Sequence, residues 1–481
     1  MVARCVLEAI PLALTYDDVL LMPRFSSIKS RREVDCATRF TRQIAMNAPF
    51  VSSNMDTVTE ARMAIAVAEF GGVGVIHRFL PIDAQAKEVA KVKRDQSRII
   101  DAPHTISPTA TVGEARRIMK RMQIHGLPVV DGFRQLVGML THRDIVLVGD
   151  TALVSERMTP RGRLLVAPPD ISVDEARWLL AEHRLEKLPL VDGKGRVVGL
   201  ITAKDLSRDL ALSSATRDEK GRLRVAAAVG AVGDFQDRAA ALVEVDVDAL
   251  VVDIAHGDSV MMISAVQQLR ERFGDIPLVA GNVATPEGAE RLIEAGVDAI
   301  KVGVGPGAMC VTRRIAGVGV PQFTAVLQTA EVGHAHGVPV IADGGIQTPG
   351  EVAKAIGAGA SSVMLGTLLA GTDESPGFVI LRNGRKMKVA RGMASTEAAV
   401  DRAIRDDPTL GWASWESVES VAAAEGIQVP VPYRGAAEEV FEYLLAGLRS
   451  GMSYCDADNV EEMWENAKFV RQTESGIREA G

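Results

Sequence analysis

Residues 225–380 repeat one pattern of apolar and polar positions. A short run of apolar, largely β-branched residues closes on a polar or glycine residue, and a longer stretch with apolar positions at helical spacing follows. The runs are Ala249-Leu-Val-Val-Asp253, Pro277-Leu-Val-Ala-Gly281, Ala299-Ile-Lys-Val-Gly303, Val338-Pro-Val-Ile-Ala-Asp343 and Ser362-Val-Met-Leu-Gly366. A typical intervening helix is Pro286-Glu-Gly-Ala-Glu-Arg-Leu-Ile-Glu-Ala295. Near-continuous apolar strands of this kind predict a buried parallel sheet. Strand–helix alternation with polar residues at the carboxyl ends of strands predicts an α/β fold of the (β/α)8 barrel type. A doubly wound sheet is disfavoured, because its single glycine-rich turn after an early strand is replaced by glycines at many strand ends. Residues 1–95 share the texture, so the barrel is expected to comprise 1–95 and 223–481.

Residues 96–222 break the pattern and contain a repeat. The first copy (96–149) runs Thr111-Val-Gly-Glu-Ala-Arg-Arg-Ile-Met, His125-Gly-Leu-Pro-Val-Val-Asp131 and Leu136-Val-Gly-Met-Leu-Thr-His-Arg-Asp144. The second (153–210) runs Ser172-Val-Asp-Glu-Ala-Arg-Trp-Leu-Leu, Glu186-Lys-Leu-Pro-Leu-Val-Asp192 and Val197-Val-Gly-Leu-Ile-Thr-Ala-Lys-Asp205. Each reads helix–strand–strand–helix, and two copies about 60 residues apart make a paired module inserted into the barrel. The pair resembles tandem CBS domains (a Bateman module). That resemblance implies an ATP or GTP site using Thr141, Asp144, Thr202 and Asp205 as ribose ligands. Thr-x-x-Asp at a strand-to-helix junction is also what a helix N-cap requires, and both readings stay open.

Composition narrows the classes. The chain has 481 residues, enough for two domains, and at 47% hydrophobic and 24% charged it fits a globular protein. A net charge of −8 gives no reason to expect nucleic acid or anionic membrane as a partner. No apolar run approaches the roughly 20 residues a bilayer span needs. Cys5, Cys36, Cys310 and Cys455 are scattered, without CxxC pairing or histidines at metal-ligand spacing. That argues against disulfides or zinc and for a reducing, cytoplasmic setting.

One cysteine stands apart. Lys301-Val-Gly-Val-Gly-Pro-Gly-Ala-Met-Cys-Val-Thr-Arg313 follows a barrel strand, and its glycines permit a left-handed backbone. Such a tip is expected to be exposed and mobile, as a nucleophile requires and a core cysteine does not.

This loop resembles that of the IMP dehydrogenase/GMP reductase family. So do Leu14-Thr-Tyr-Asp-Asp-Val-Leu-Leu21, Met55-Asp-Thr-Val58, Gly281-Asn-Val-Ala-Thr285, Ala342-Asp-Gly-Gly-Ile346, Gly371-Thr-Asp-Glu-Ser-Pro-Gly377, Arg391-Gly-Met393, Val431-Pro-Tyr-Arg-Gly435 and Gly447-Leu-Arg-Ser-Gly451. The resemblance implies that Cys310 attacks C2 of a purine nucleotide to form a covalent adduct. It implies substrate contacts from Ser53, Met55, Asp343, Gly344, Gly345, Gly366, Thr367, Arg391, Gly392 and Met393. Asp343 would take the ribose hydroxyls, and the strand-end amides of 343–345 and 366–367 the phosphate. Asp253, Ala255 and Asn282 would face the cofactor. The carbonyls of Gly305, Gly307 and Cys310 would form half of a K+ site, and homotetramers pairing to octamers are implied.

The two activities of the family part at one step. Dehydrogenases hydrolyse the adduct with an adjacent Arg-Tyr pair on a flap between the Arg-Gly-Met and Pro-Tyr segments. The four tyrosines here are Tyr16, Tyr433, Tyr443 and Tyr454, so none lies between Met393 and Pro432. Arg402 and Arg405 lack a tyrosine neighbour. Reductases manage the proton of leaving ammonia with a glutamate and the threonine two residues after the cysteine, here Glu425 and Thr312. These features imply an NADPH-dependent reductive deamination of GMP to IMP. The inserted module and Gly371–Gly377 are traits of dehydrogenases, so an NAD-dependent IMP dehydrogenase is the alternative. A non-catalytic nucleotide-binding paralogue is a second.

Overall fold

The computed structural model describes residues 10–479 except 96–99, 102, 123, 204–205, 207–213 and 407–423. Two compact units emerge, one of residues 1–93, 214–217 and 223–481, the other of residues 94–213 and 218–222.

In the first unit eight parallel strands close into a barrel: β1 (Phe50–Ser52), β2 (Val73–Ile76), β3 (Val225–Val229), β4 (Ala249–Asp253), β5 (Leu278–Val283), β6 (Ala299–Val302), β7 (Val340–Asp343) and β8 (Ser362–Leu365). Closure runs through Val75 against Ala226 and Val51 against Met364. Buried side chains from every strand fill the interior, among them Val51, Val75, Ala226, Val251, Val279, Ala299, Ile341 and Met364. The helices between strands are punctuated as the sequence suggests. In Pro286–Ala295, Thr285 Oγ1 accepts the Gly288 amide, Pro286 occupies the first turn and left-handed Gly296 ends the helix.

A hairpin plugs one end of the barrel. Phe40, Ile44 and Met46, from the hairpin of strands Thr38–Arg39 and Ala45–Met46, join the barrel core. The Arg42 amide donates to the carbonyl of Asp298, the residue before β6, which places the plug at the amino ends of the strands. Ligand access is thereby left to the carboxyl ends, where barrels of this class carry their chemistry. Beyond β8 a small antiparallel sheet forms from β9 (Ile380–Arg382), β10 (Arg385–Arg391) and β11 (Gln428–Pro432). Its register sets Arg391 opposite Gln428, so the residues that leave β10 run beside those that enter β11.

The second unit contains two helix–hairpin copies. Helix Val112–Met122 packs on strands Gly126–Val130 and Leu136–Thr141, and helix Val173–Glu182 on Lys187–Val191 and Val197–Thr202. Both hairpins turn on an aspartate. Asp131 Oδ1 accepts the Phe133 and Gln135 amides, and Asp192 Oδ1 accepts those of Lys194 and Arg196. The copies meet through Val130, Leu136 and Val197. Among the described residues no helix is long and apolar enough to cross a membrane.

Candidate active site

The carboxyl ends of the strands open into a cavity of about 420 Å³. That is a common size for a small-molecule site. One wall is built by the strands themselves. Lys301 on β6 is only 2% exposed, and its Nζ lies 2.8 Å from Asp253 Oδ1 at the end of β4 and 2.7 Å from Asp343 Oδ2 at the end of β7. It also donates to Asn282 Oδ1 on β5. Asn282 Nδ2 in turn donates to Asp343 Oδ2 at 2.9 Å and to the Gly303 carbonyl at 2.7 Å. Burial works against the lysine's proton, but the Asp253 and Asp343 carboxylates outweigh it and hold the ammonium above the ordinary lysine range. Burial likewise works against ionised Asp253, and Lys301, Asn54 and Arg78 together keep its carboxyl below the usual range.

The facing wall is made of loops. After β6 the chain turns at Gly303, whose φ is +150°, and a Cβ there would stand 2.1 Å from the Asp343 carbonyl. Glycine alone permits that approach. The loop then pairs with a distant segment: the Val311 amide donates to the Glu425 carbonyl at 2.8 Å and the Ile427 amide to the Met309 carbonyl at 3.0 Å. A third segment joins them, with the Gly392 amide on Ile427 at 2.9 Å and the Gly426 amide on Ala394 at 3.1 Å. Cys310 is therefore half-buried rather than exposed at a loop tip, with backbone pairing on both sides placing it against the cavity. Its Sγ lies 3.1 Å from Thr312 Oγ1, and that hydroxyl donates to Glu425 Oε2 at 2.7 Å. With the hydroxyl proton committed to the carboxylate, the threonine oxygen is left to accept from the thiol, which makes a continuous path for a proton.

Ser53, Met55, Asp253, Ala255, Asn282, Asp343, Gly344, Gly345, Gly366, Thr367, Gly392 and Met393 all line the cavity with Cys310, Thr312 and Glu425. So do Gly305 and Gly307, and the Gly307 carbonyl already accepts the Cys310 amide at 2.9 Å. Arg391 does not line it. Its guanidinium turns to Asp56, with Nε 2.8 Å from Oδ2, and to Asp401, with Nη1 2.6 Å from Oδ2. Two carboxylates close by satisfy its planar fork, so it braces the loop after β1 to the helix Thr396–Asp406. Breaking such a partly buried pair costs about 2–3 kcal/mol.

Reading the sequence missed Lys301, Arg78, Phe79 and Gln347, which also line the cavity. The signal for Lys301 was a lone charge inside the apolar run Ala299-Ile-Lys-Val, and for Arg78 a charge just past β2. In the second unit Asp144 Oδ2 accepts both the Thr141 amide and its hydroxyl at 2.7 Å, a reciprocal cap on helix His142–Ile145. Thr202 ends its strand half-buried, and Asp205 lies outside the described residues. Residues 407–423 of the tyrosine-free stretch also lie outside them. Among the described residues no group of three or more His, Cys, Asp or Glu is arranged to hold a metal ion.

Comparison with known proteins agrees with this arrangement. The profile of the IMP dehydrogenase / GMP reductase domain matches residues 13–481. An inosine-5'-monophosphate dehydrogenase of Nitrosopumilus maritimus is 48% identical over 97% of this chain and 97% of its own. A GMP reductase of Leishmania donovani is 43% identical over 99% of this chain and 97% of its own. A cysteine-to-alanine GMP reductase of Trypanosoma brucei, solved in complex with guanosine 5'-monophosphate, superimposes with a TM-score of 0.91 at 42% identity, covering 99% of this chain and 98% of that one. Reductases of this full length remove the argument that an inserted module marks a dehydrogenase. With the barrel, the half-buried cysteine and the profile match in agreement, the chain belongs to the IMP dehydrogenase/GMP reductase family.

Proposed function

We propose that this chain is a GMP reductase, converting GMP to IMP and ammonia at the expense of NADPH. The observation that carries the reading is the chain of contacts from Cys310 through Thr312 to Glu425. It sits beside a stretch from Met393 to Pro432 that contains no tyrosine.

The Cys310 thiolate adds to C2 of GMP, and the 2-amino group departs as ammonia with a proton relayed through Thr312 from Glu425. This substitution leaves the oxidation state of C2 unchanged and the purine joined to sulfur. Bound NADPH would supply the hydride that replaces sulfur on C2, the Cys310 thiolate would be regenerated and IMP released; one proton is consumed with ammonia as product, and a second if it leaves as ammonium. Asp343 would hold the substrate ribose and Asp253 the cofactor ribose. The strand ends at Gly344-Gly345 and Gly366-Thr367 would take the phosphate through backbone dipoles. Ser53, Met55, Gly392 and Met393 would surround the nucleotide, with Ala255 and Asn282 on the cofactor side. The loop carbonyls of Gly305, Gly307 and Cys310 would offer half of a K+ site. The paired repeats, read as CBS domains, would bind ATP or GTP and tune a homotetrameric or octameric cytoplasmic enzyme. Thr141, Asp144, Thr202 and Asp205 are their candidate ligands.

One observation favours the dehydrogenase instead: the relative from Nitrosopumilus maritimus is more alike than the Leishmania donovani reductase, at 48% against 43% identity. Purified protein mixed with GMP and NADPH decides between them. Loss of NADPH absorbance with formation of IMP supports the reductase. No loss, together with NADH formation from IMP and NAD+, overturns it.

A further inference from the structure

We propose that Lys301 is a positioning residue shared by both nucleoside subsites: one buried ammonium sets the carboxylate of Asp343 for the ribose of the purine nucleotide and that of Asp253 for the ribose of the cofactor. The proposal rests on the family-level assignment of those two aspartates to ribose. It does not depend on the direction of the reaction.

Geometry carries the argument. The ammonium has three N–H donors and three partners, Asp253 Oδ1, Asp343 Oδ2 and Asn282 Oδ1. None of its donors is left for a ligand, which rules it out as a direct contact through hydrogen bonding. Its effect on Asp343 is specific. Oδ2 is taken by both Lys301 and Asn282, whereas no donor among the described residues reaches Oδ1. A side chain pinned through one oxygen, at the rim of the cavity, presents the other to a hydroxyl. Asp253 is fixed in the same way from the opposite side of the lysine, with help from Asn54. β4 and β7 are separated by two strands in the barrel, and the lysine on β6 spans the space between their ends. Without it Asp343 would lose its ammonium partner and Asp253 would keep only Asn54 and Arg78, so the two carboxylates would face one recess with each raising the energy of the other.

The test is a cycle between the lysine and the hydroxyls it serves. In a Cys310→Ala background, which prevents turnover, IMP and 2',3'-dideoxy-IMP are titrated by calorimetry with and without Lys301→Met. IMP is a ligand of either reaction, so failure of the reductase reading leaves the test intact. Lys301→Met is expected to weaken IMP roughly ten- to hundredfold and to leave the dideoxy nucleotide nearly unchanged, as the loss of a charge-assisted positioning bond implies. Binding of NADPH or NADH to the IMP-saturated protein should weaken by a similar factor. An equal loss for both nucleotides would mean a general structural role and overturns the proposal, as does a loss confined to one subsite. If Lys301→Met does not fold, the charge-balanced double variant Lys301→Met/Asp253→Asn replaces it, with Asp253→Asn alone as reference. IMP must then lose affinity relative to that reference while dideoxy-IMP does not, and any other pattern overturns the assignment.

Discussion

The two walls of the cavity are built on opposite principles. The strand wall is joined side chain to side chain, with Asp253, Asn282, Lys301 and Asp343 cross-linked by ion pairs on strands that the barrel already fixes. The loop wall is joined backbone to backbone, with three segments around Met309, Gly392 and Gly426 zipped by amide–carbonyl bonds. Its cysteine and glutamate side chains are joined through the Thr312 hydroxyl. The contrast separates two tasks. The strand wall holds charges that are already balanced, which suits binding without rearrangement. The loop wall holds a thiol and a carboxylate on one proton path, which suits making and breaking bonds.

The sharpest way to break that separation is Cys310→Ala. Turnover should fall by at least about a thousandfold, while GMP affinity measured by calorimetry stays within a few-fold of the parent. Loss of GMP binding in that variant would show that the walls are not independent. Next comes Glu425→Gln, expected to slow GMP-driven NADPH oxidation by roughly 10²–10⁴. Run in reverse with IMP and NADP+, the same variant should keep its initial burst of NADPH, since adduct formation and hydride transfer need no ammonia chemistry. Equal losses in both directions would place Glu425 outside the ammonia step. Gly392→Ala probes the zipper itself. A Cβ there would meet the Met309 carbonyl at 2.7 Å and the Gly426 Cα at 3.1 Å. Strain of about 1–3 kcal/mol should part the segments, lowering kcat about tenfold and, because Gly392 also lines the cavity, weakening IMP as well; a kcat equal to the parent's would show that the close approach is dispensable. The smallest effect is expected far from both walls. Thr141→Val removes a reciprocal cap worth about 1 kcal/mol to the second unit. Unliganded turnover should not move, and ATP affinity should fall about tenfold if the hydroxyl serves a nucleotide; a loss of stability without a loss of ATP binding leaves the cap as its whole role.

What the sequence made legible followed from locality. Asp253 and Asp343 each close an apolar run, and in a parallel barrel the closing residue of a strand must lie at the ligand-bearing rim. The repeat was equally visible as a sequence pattern, and the aspartate that follows each copy's first strand, Asp131 or Asp192, bonds to amides within its own hairpin. What escaped was non-local. Lys301 is a lone charge in a strand, and its meaning lies in two carboxylates far away in the chain. Arg391 shares its motif with two residues that line the cavity, yet its guanidinium belongs to Asp56 and Asp401. The loop of Cys310 looked solvent-bound because its partner segment, around Gly426, carries no pattern that announces pairing with Cys310.

That last pairing bears on how such enzymes diversify. The Gly426 amide binds the Ala394 carbonyl, so the chain from 394 to 426 begins and ends at one point of the scaffold. A loop whose ends are fixed together can lengthen or change composition at a closure cost that grows only logarithmically with its length. Exchanging the interior of that excursion, short of Glu425, would leave the thiol, its threonine and carboxylate partners and the strand wall in register. Within one lineage, a change in what happens to the purine after capture would then call for rewriting a single contiguous passage rather than redesigning the enzyme.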